Sequence, residues 1–202
     1  MATHYCDITY GNGTFVAVGN AGALLTSPDG VTWMSRARET ACHLKGITYH
    51  DGIFVAVGNA GTLLTSHDGI VWTPRYSGTT VTLYGVSYGN TIFVVVGGYG
   101  TVLTSPNGVT WRVQHAGTPA YLYGVTFDKG IFVAVGDAGT LITSRDGTAW
   151  TARRSGTAYY LNKITHSNGT FVAVGYAGTI LTSHDGATWT IRDLGTTAHS
   201  MQ

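Results

Sequence analysis

The sequence predicts an all-β fold, a single five-bladed β-propeller with four antiparallel strands in each 39-residue blade. Three observations predict it. The runs FVAVG and FVVVG begin at Phe15, Phe54, Phe93, Phe132 and Phe171, a spacing of 39 residues every time with no insertion. Each period breaks into short β-rich runs separated by Gly-bearing turns, and no helical apolar period persists over 11 residues. The first and last periods keep the apolar strands of the middle ones. Neither end resembles the polar cap that an open solenoid needs, so closing unit five onto unit one is the simplest way to bury both.

The unit that starts at Leu44 justifies its elements in order. LKGITY (44–49) and IFVAVG (53–58) are strands joined by the turn HDG. NAG (59–61) leads into a third strand, TLLTS (62–66), and HDG (67–69) into a fourth, IVWTPR (70–75). YSGTTVT (76–82) then returns the chain to the next unit. The blades are 5–43, 44–82, 83–121, 122–160 and 161–199, within one domain spanning 1–202. The third position of the first strand is Gly46, Gly85 and Gly124 in the middle units, but Asp7 and Lys163 in the outer two. An Asp–Lys pair at the seam would fix the register of closure. The first strand is expected innermost; were it outermost, Tyr5–Tyr10 would complete the last blade as a clasp, and the residues allow both arrangements.

Composition narrows the function classes. The chain has 202 residues, a formal net charge of +1 and only 10% charged residues, against roughly 25% in an average globular domain. Without a basic run it is a poor candidate for nucleic acid, whose binding rests on neutralising phosphates. MATHYCDITYGNG lacks the features of a signal peptide, and no stretch of 18 apolar residues occurs. No membrane span is therefore expected, with a cytoplasmic monomer as the default. Cys6 and Cys42 are the only cysteines and read as free thiols. The eight His form no HxH, HExxH or Cys/His spacing, and no metal or cofactor is expected.

SPDGVTW (27–33), SHDGIVW (66–72), SPNGVTW (105–111), SRDGTAW (144–150) and SHDGATW (183–189) carry a recognisable pattern. It resembles the Asp-box, or BNR, motif of sialidase-like propellers, one residue shorter between Asp and Trp. With the preceding FVAVGxxGTxLTS it is similar to the BNR-like repeats of the photosystem II assembly factor family and of bacterial and phage propellers. The resemblance covers nearly the whole chain and speaks to fold more than activity. It implies that the boxes lie between the third and fourth strands, opposite the ligand face. Read from the residues, Asp29, Asp68, Asp146 and Asp185 accept backbone N–H groups ahead of them, with Asn107 able to replace Asp. The Ser hydroxyl ties the loop, and Trp covers the hairpin.

The acidic residues give little support to catalysis. The boxes take four, Asp51 and Asp128 fall at the first hairpin turn, and Asp7, Glu39, Asp137 and Asp193 remain. A glycosidase needs a carboxylate pair roughly 5–10 Å apart, and Glu39, the sole glutamate, has no evident partner. Arg36, Arg75, Arg153 and Arg192 recur at the end of the fourth strand and read as periodic structure rather than a sialic-acid cluster.

Copies diverge instead on the face opposite the boxes. The turn after the second strand carries Asn20, Asn59, Gly98, Asp137 and Tyr176 at one position, with Tyr99 where other copies have Ala. The inter-blade loops add Tyr76, Tyr121, Tyr159 and Tyr160. Free drift of surface loops explains any one of these. Together, aromatic rings beside amide and carboxylate groups suit sugars or peptides. The expected ligand site is Asn20, Asn59, Tyr76, Tyr99, Tyr121, Asp137, Tyr160 and Tyr176, in a non-catalytic lectin-like or protein-interaction propeller. The alternatives are a glycoside-acting enzyme around Glu39, Asp137 and Asp193, and a minimal or engineered scaffold without a ligand.

Overall fold

The computed structural model describes residues 3–192. Blade 1 comprises β1 (Tyr5–Gly11), β2 (Thr14–Gly19), β3 (Leu24–Ser27) and β4 (Met34–Ser35). Blade 2 comprises β5 (Leu44–His50), β6 (Ile53–Gly58), β7 (Leu63–Ser66) and β8 (Thr73–Pro74). Blade 3 comprises β9 (Leu83–Gly89), β10 (Ile92–Gly97), β11 (Thr101–Ser105) and β12 (Arg112–His115). Blade 4 comprises β13 (Leu122–Asp128), β14 (Ile131–Gly136), β15 (Leu141–Ser144) and β16 (Thr151–Ala152). Blade 5 comprises β17 (Leu161–Ser167), β18 (Thr170–Gly175), β19 (Ile180–Ser183) and β20 (Thr190–Ile191). Every sheet is an antiparallel meander of four consecutive strands, giving the all-β five-bladed propeller that the repeat predicts. Among the described residues no strand is exchanged between blades, and β1 pairs with β2 rather than clasping the last blade. No helix among the described residues is long and apolar enough to cross a membrane.

The first strands lie innermost and approach closely because Gly occupies their third position. A Cβ on Gly46 would lie 2.8 Å from the Tyr84 carbonyl oxygen, and one on Gly85 would lie 3.3 Å from the Gly124 Cα. Second and third strands carry the core. Phe54, Val55, Ala56 and Val57 are all buried because neighbouring blades cover both faces of their sheet. One apolar cluster fills each junction from blades 1/2 to blades 4/5.

The seam between blades 5 and 1 differs. Lys163 Nζ lies 3.6 Å from Asp7 Oδ1, the pair anticipated there, while Asp7 Oδ2 accepts the Ile47 N–H at 3.0 Å. Outside this bridge the apolar faces remain open. Ile8 is 53% exposed against 5% for its equivalent Ile47, and Val174 is 41% exposed against 0% for Val135. Blade 5 thus meets blade 1 through an ion pair beside the central cavity, and not through the packed junction that ring closure by burial implies.

The outer strands are shorter than the sequence indicates. IVWTPR yields only Thr73–Pro74 in β8, because the Ile70 and Val71 N–H groups turn back to Asp68 Oδ1 at 2.8 and 2.9 Å. A two-residue edge exposes little unpaired backbone. The Arg that follows each two-residue strand reaches across the sheet: Arg75 Nε donates to Thr65 Oγ1, and Arg36, Arg153 and Arg192 repeat the bond on Thr26, Thr143 and Thr182. These arginines are cross-strand ties, as their period implies.

Candidate functional site on the upper face

Strand direction divides the loops between two faces. The lower face holds the first hairpin turns and the Ser…Trp turns; the upper face holds the 3-10 turns after each second strand and the inter-blade linkers. In blade 2, Ser66 Oγ donates to Asp68 Oδ1 at 2.9 Å and accepts the Gly69 N–H at 2.8 Å, and Trp72 Nε1 donates to the Gly69 carbonyl at 3.0 Å. The other four copies repeat this set, blade 3 with Asn107 Oδ1 in the role of the carboxylate. Backbone N–H donors hold Asp29 at a pKa of about 2 and lower those of Asp68, Asp146 and Asp185. These four carboxylates are committed to turns.

On the upper face, local backbone geometry builds the site. The 3-10 turn of blade 4, Asp137–Gly139, follows Gly136, whose missing Cβ leaves room for the Tyr121 carbonyl; a Cβ there would sit 1.9 Å from that oxygen. The Asp137 N–H donates to the same carbonyl at 2.9 Å, and the Tyr176 N–H does likewise to Tyr160 at 2.8 Å. Tyr121 and Tyr160 are therefore fixed immediately before the innermost strands. Tyr99 holds the central position of its turn at φ 54° and projects beside Tyr121, with ring centroids 4.8 Å apart.

Two residues that the loop comparison passes over complete the cluster. The pairing of first and second strands skips one residue, which leaves Tyr84 in β9 and Tyr123 in β13 as bulged positions. A bulge re-aims a side chain, and here it brings these rings to the cluster. Tyr84 packs against Tyr123 edge-on at 5.2 Å and against Tyr121 at 6.3 Å; Tyr121 and Tyr123 are 6.5 Å apart. Tyr123 donates its hydroxyl to Asp137 Oδ1 at 2.6 Å. The sequence signal was present, since this position reads Cys6, Lys45, Tyr84, Tyr123 and Asn162 while the position before it is Leu in four of the five units.

Electrostatically the cluster is a set of neutral phenols around one carboxylate. The Tyr99 hydroxyl beside it and burial push the Tyr121 pKa up to about 12. Burial raises Tyr84, with the charge of Asp137 adding to it. Burial and the bond to Asp137 raise Tyr123 further. Below the rings opens a cavity of about 330 Å³, lined in part by Tyr123, Gly85, Gly124, Asp7 and Lys163.

The other anticipated residues spread around this centre. Tyr176 packs with Tyr159 at 6.1 Å on blade 5, extending the aromatic surface. Asn20 and Asn59 occupy the Asp137-equivalent position on blades 1 and 2, where Asn20 Oδ1 lies 3.9 Å from Cys6 Sγ. Tyr76, at the outer end of blade 2, is 88% exposed and joins no ring in the cluster. Glu39 lies in the linker leaving blade 1 and Asp137 at the inner end of blade 4, on different blades; Asp193 lies outside the described residues. Cys6 and Cys42 are free. Among the described residues, no group of three or more His, Cys, Asp or Glu is placed to hold a metal ion.

No family model matches the chain, and no curated protein does. Solved structures do. YCF48 bound to D1 peptide superposes with a TM-score of 0.69 at 16% identity, covering 94% of this chain and 66% of that one. The computationally designed Ika8 protein gives 0.68 at 13% identity over 88% of this chain and 57% of that one. The nidogen/laminin complex gives 0.70 at 14% identity over 89% and 78%. This chain spans just under two thirds of the YCF48 chain and less of Ika8. At these identities the likeness establishes a shared propeller fold.

Proposed function

We propose that this chain is a non-catalytic binding propeller that holds an extended protein segment on its upper face, over blades 3 to 5. The observation that carries this reading is the contiguous run of Tyr99, Tyr121, Tyr84 and Tyr123 ending on Asp137. Aromatic rings supply large rigid contact area at low entropic cost, and a fixed carboxylate supplies orientation. The solved relatives support it in kind: one is a propeller bound to a peptide, another belongs to a protein–protein complex. A lectin-like role would use the same rings for sugar stacking, and one pair of experiments separates the two. Peptide and glycan arrays probed with the purified chain should select peptides, and a Tyr121→Ala/Tyr123→Ala variant of unchanged melting temperature should lose at least about tenfold in affinity. Selection of glycans alone would replace the protein-interaction reading with the lectin one. Two empty arrays would remove both.

A further inference from the structure

We propose that the Tyr84–Tyr121–Tyr123–Asp137 cluster takes a cationic side chain, the guanidinium of an Arg or the ammonium of a Lys, from the bound segment. This rests on the peptide-binding reading and adds the chemistry of its anchor. The Asp137 carboxylate makes one side-chain hydrogen bond, to the Tyr123 hydroxyl, and that donor is a neutral phenol. Among the described residues no Lys, Arg or His pairs with it; the ion pair found is Lys163 with Asp7. An acidic group at the mouth of a site, half-buried and without a counter-charge, disfavours acidic ligands and favours cations. The surrounding groups agree. Three phenol rings lie within 6.5 Å of one another beside the carboxylate, and Tyr84 meets Tyr123 edge-on. Ring faces attract cations through their quadrupole, most strongly where solvent is partly excluded. A neutral apolar anchor would gain the ring contact but desolvate Asp137 without compensation.

Neighbouring blades supply the control. Asn20 and Asn59 stand at the Asp137 position in blades 1 and 2, so Asp137→Asn keeps a residue that the turn already accommodates. The probes are acetyl-Gly-Arg-Gly-amide, with Leu and Glu in place of Arg as comparisons, titrated into the full chain while tyrosine ring resonances are followed by NMR. The Arg peptide should shift the Tyr84, Tyr121 and Tyr123 resonances saturably, and the Glu peptide should not. Asp137→Asn should weaken the Arg peptide by about tenfold, while Tyr84→Phe, which keeps the ring, should weaken it far less. Equal shifts by the Leu peptide, or an Asp137→Asn variant that binds the Arg peptide unchanged, would overturn the cationic anchor. So would array-selected peptides without Arg or Lys, and these would leave the peptide-binding face standing. Arrays that select no peptide at all would remove that face itself.

Discussion

On the lower face, five turns place a Ser hydroxyl, an Asp or Asn oxygen and a Trp indole in the same hydrogen-bonded arrangement, with Ser-to-Asp distances of 2.9–3.0 Å and 3.3 Å to Asn107. On the upper face, the same five units present Asn20, Asn59, Gly98, Asp137 and Tyr176 at one backbone position, held by the same backbone bonds. The backbone of the upper turns is as periodic as the lower one; only the side chains differ. The contrast separates what the fold needs from what it leaves free. A lower turn must satisfy its buried Ser hydroxyl and its Trp indole N–H and cover Phe54 or its equivalent. An upper side chain needs only a compatible backbone, so its chemistry is available to a ligand.

Substitutions in the two faces should therefore separate stability from binding. The largest effect is expected for Trp72→Ala, which removes a buried indole at 4% exposure and should cost about 3–5 kcal/mol in urea unfolding. Tyr99→Ala, on the exposed upper turn, should stay within about 0.5 kcal/mol. A Tyr99 effect as large as that of Trp72 would break the comparison. Ile47→Ala should cost about 2–5 kcal/mol, and Ile8→Ala, the same residue at the open seam, under about 1 kcal/mol. Equal losses would show that blade 5 packs onto blade 1 as the other blades pack onto one another.

Gly136→Ala tests the link between scaffold and site. The added methyl would displace the Tyr121 carbonyl, with an expected loss of about 1–3 kcal/mol and shifted Tyr121 and Tyr123 resonances. Lower-face carboxylates give a smaller, pH-dependent effect. Their folded pKa values lie below the ordinary 3.8, so their stabilisation is present above that value and is lost as pH falls through it toward the folded values. Urea midpoints should therefore fall below about pH 4, and less steeply in an Asp68→Asn variant, since blade 3 already works with Asn107. A small effect is also expected at the Asp7–Lys163 pair. Lys163→Ala should change stability by no more than about 1 kcal/mol, as expected for a solvent-exposed bridge.

The 39-residue period and the Gly-bearing turns make the blades, their order and the commitment of the Ser…Trp residues legible in the amino-acid sequence. Each unit solves the same packing problem, so local and global signals agree. Three features were not legible, for physical reasons. The fourth strands shortened because Asp side chains, and Asn107 in blade 3, captured N–H groups that a strand would have used. The open seam was hidden because Ile8 and Val174 are the same residue types that fill the covered junctions at Ile47 and Val135. Tyr84 and Tyr123 were hidden because a bulge breaks the alternation from which side-chain direction is read. Tyr76 shows the converse: a tyrosine on the anticipated face, but too far out along its blade to join the others.

The central claim is that binding uses the upper face of blades 3 to 5. Hydrogen–deuterium exchange of the chain with and without an array-selected peptide tests it most directly. Protection should concentrate at Tyr84, Gly98–Gly100, Tyr121–Tyr123 and Asp137–Gly139, with the Ser…Trp turns unchanged. Protection confined to those lower turns, with none around Tyr121, would contradict the account.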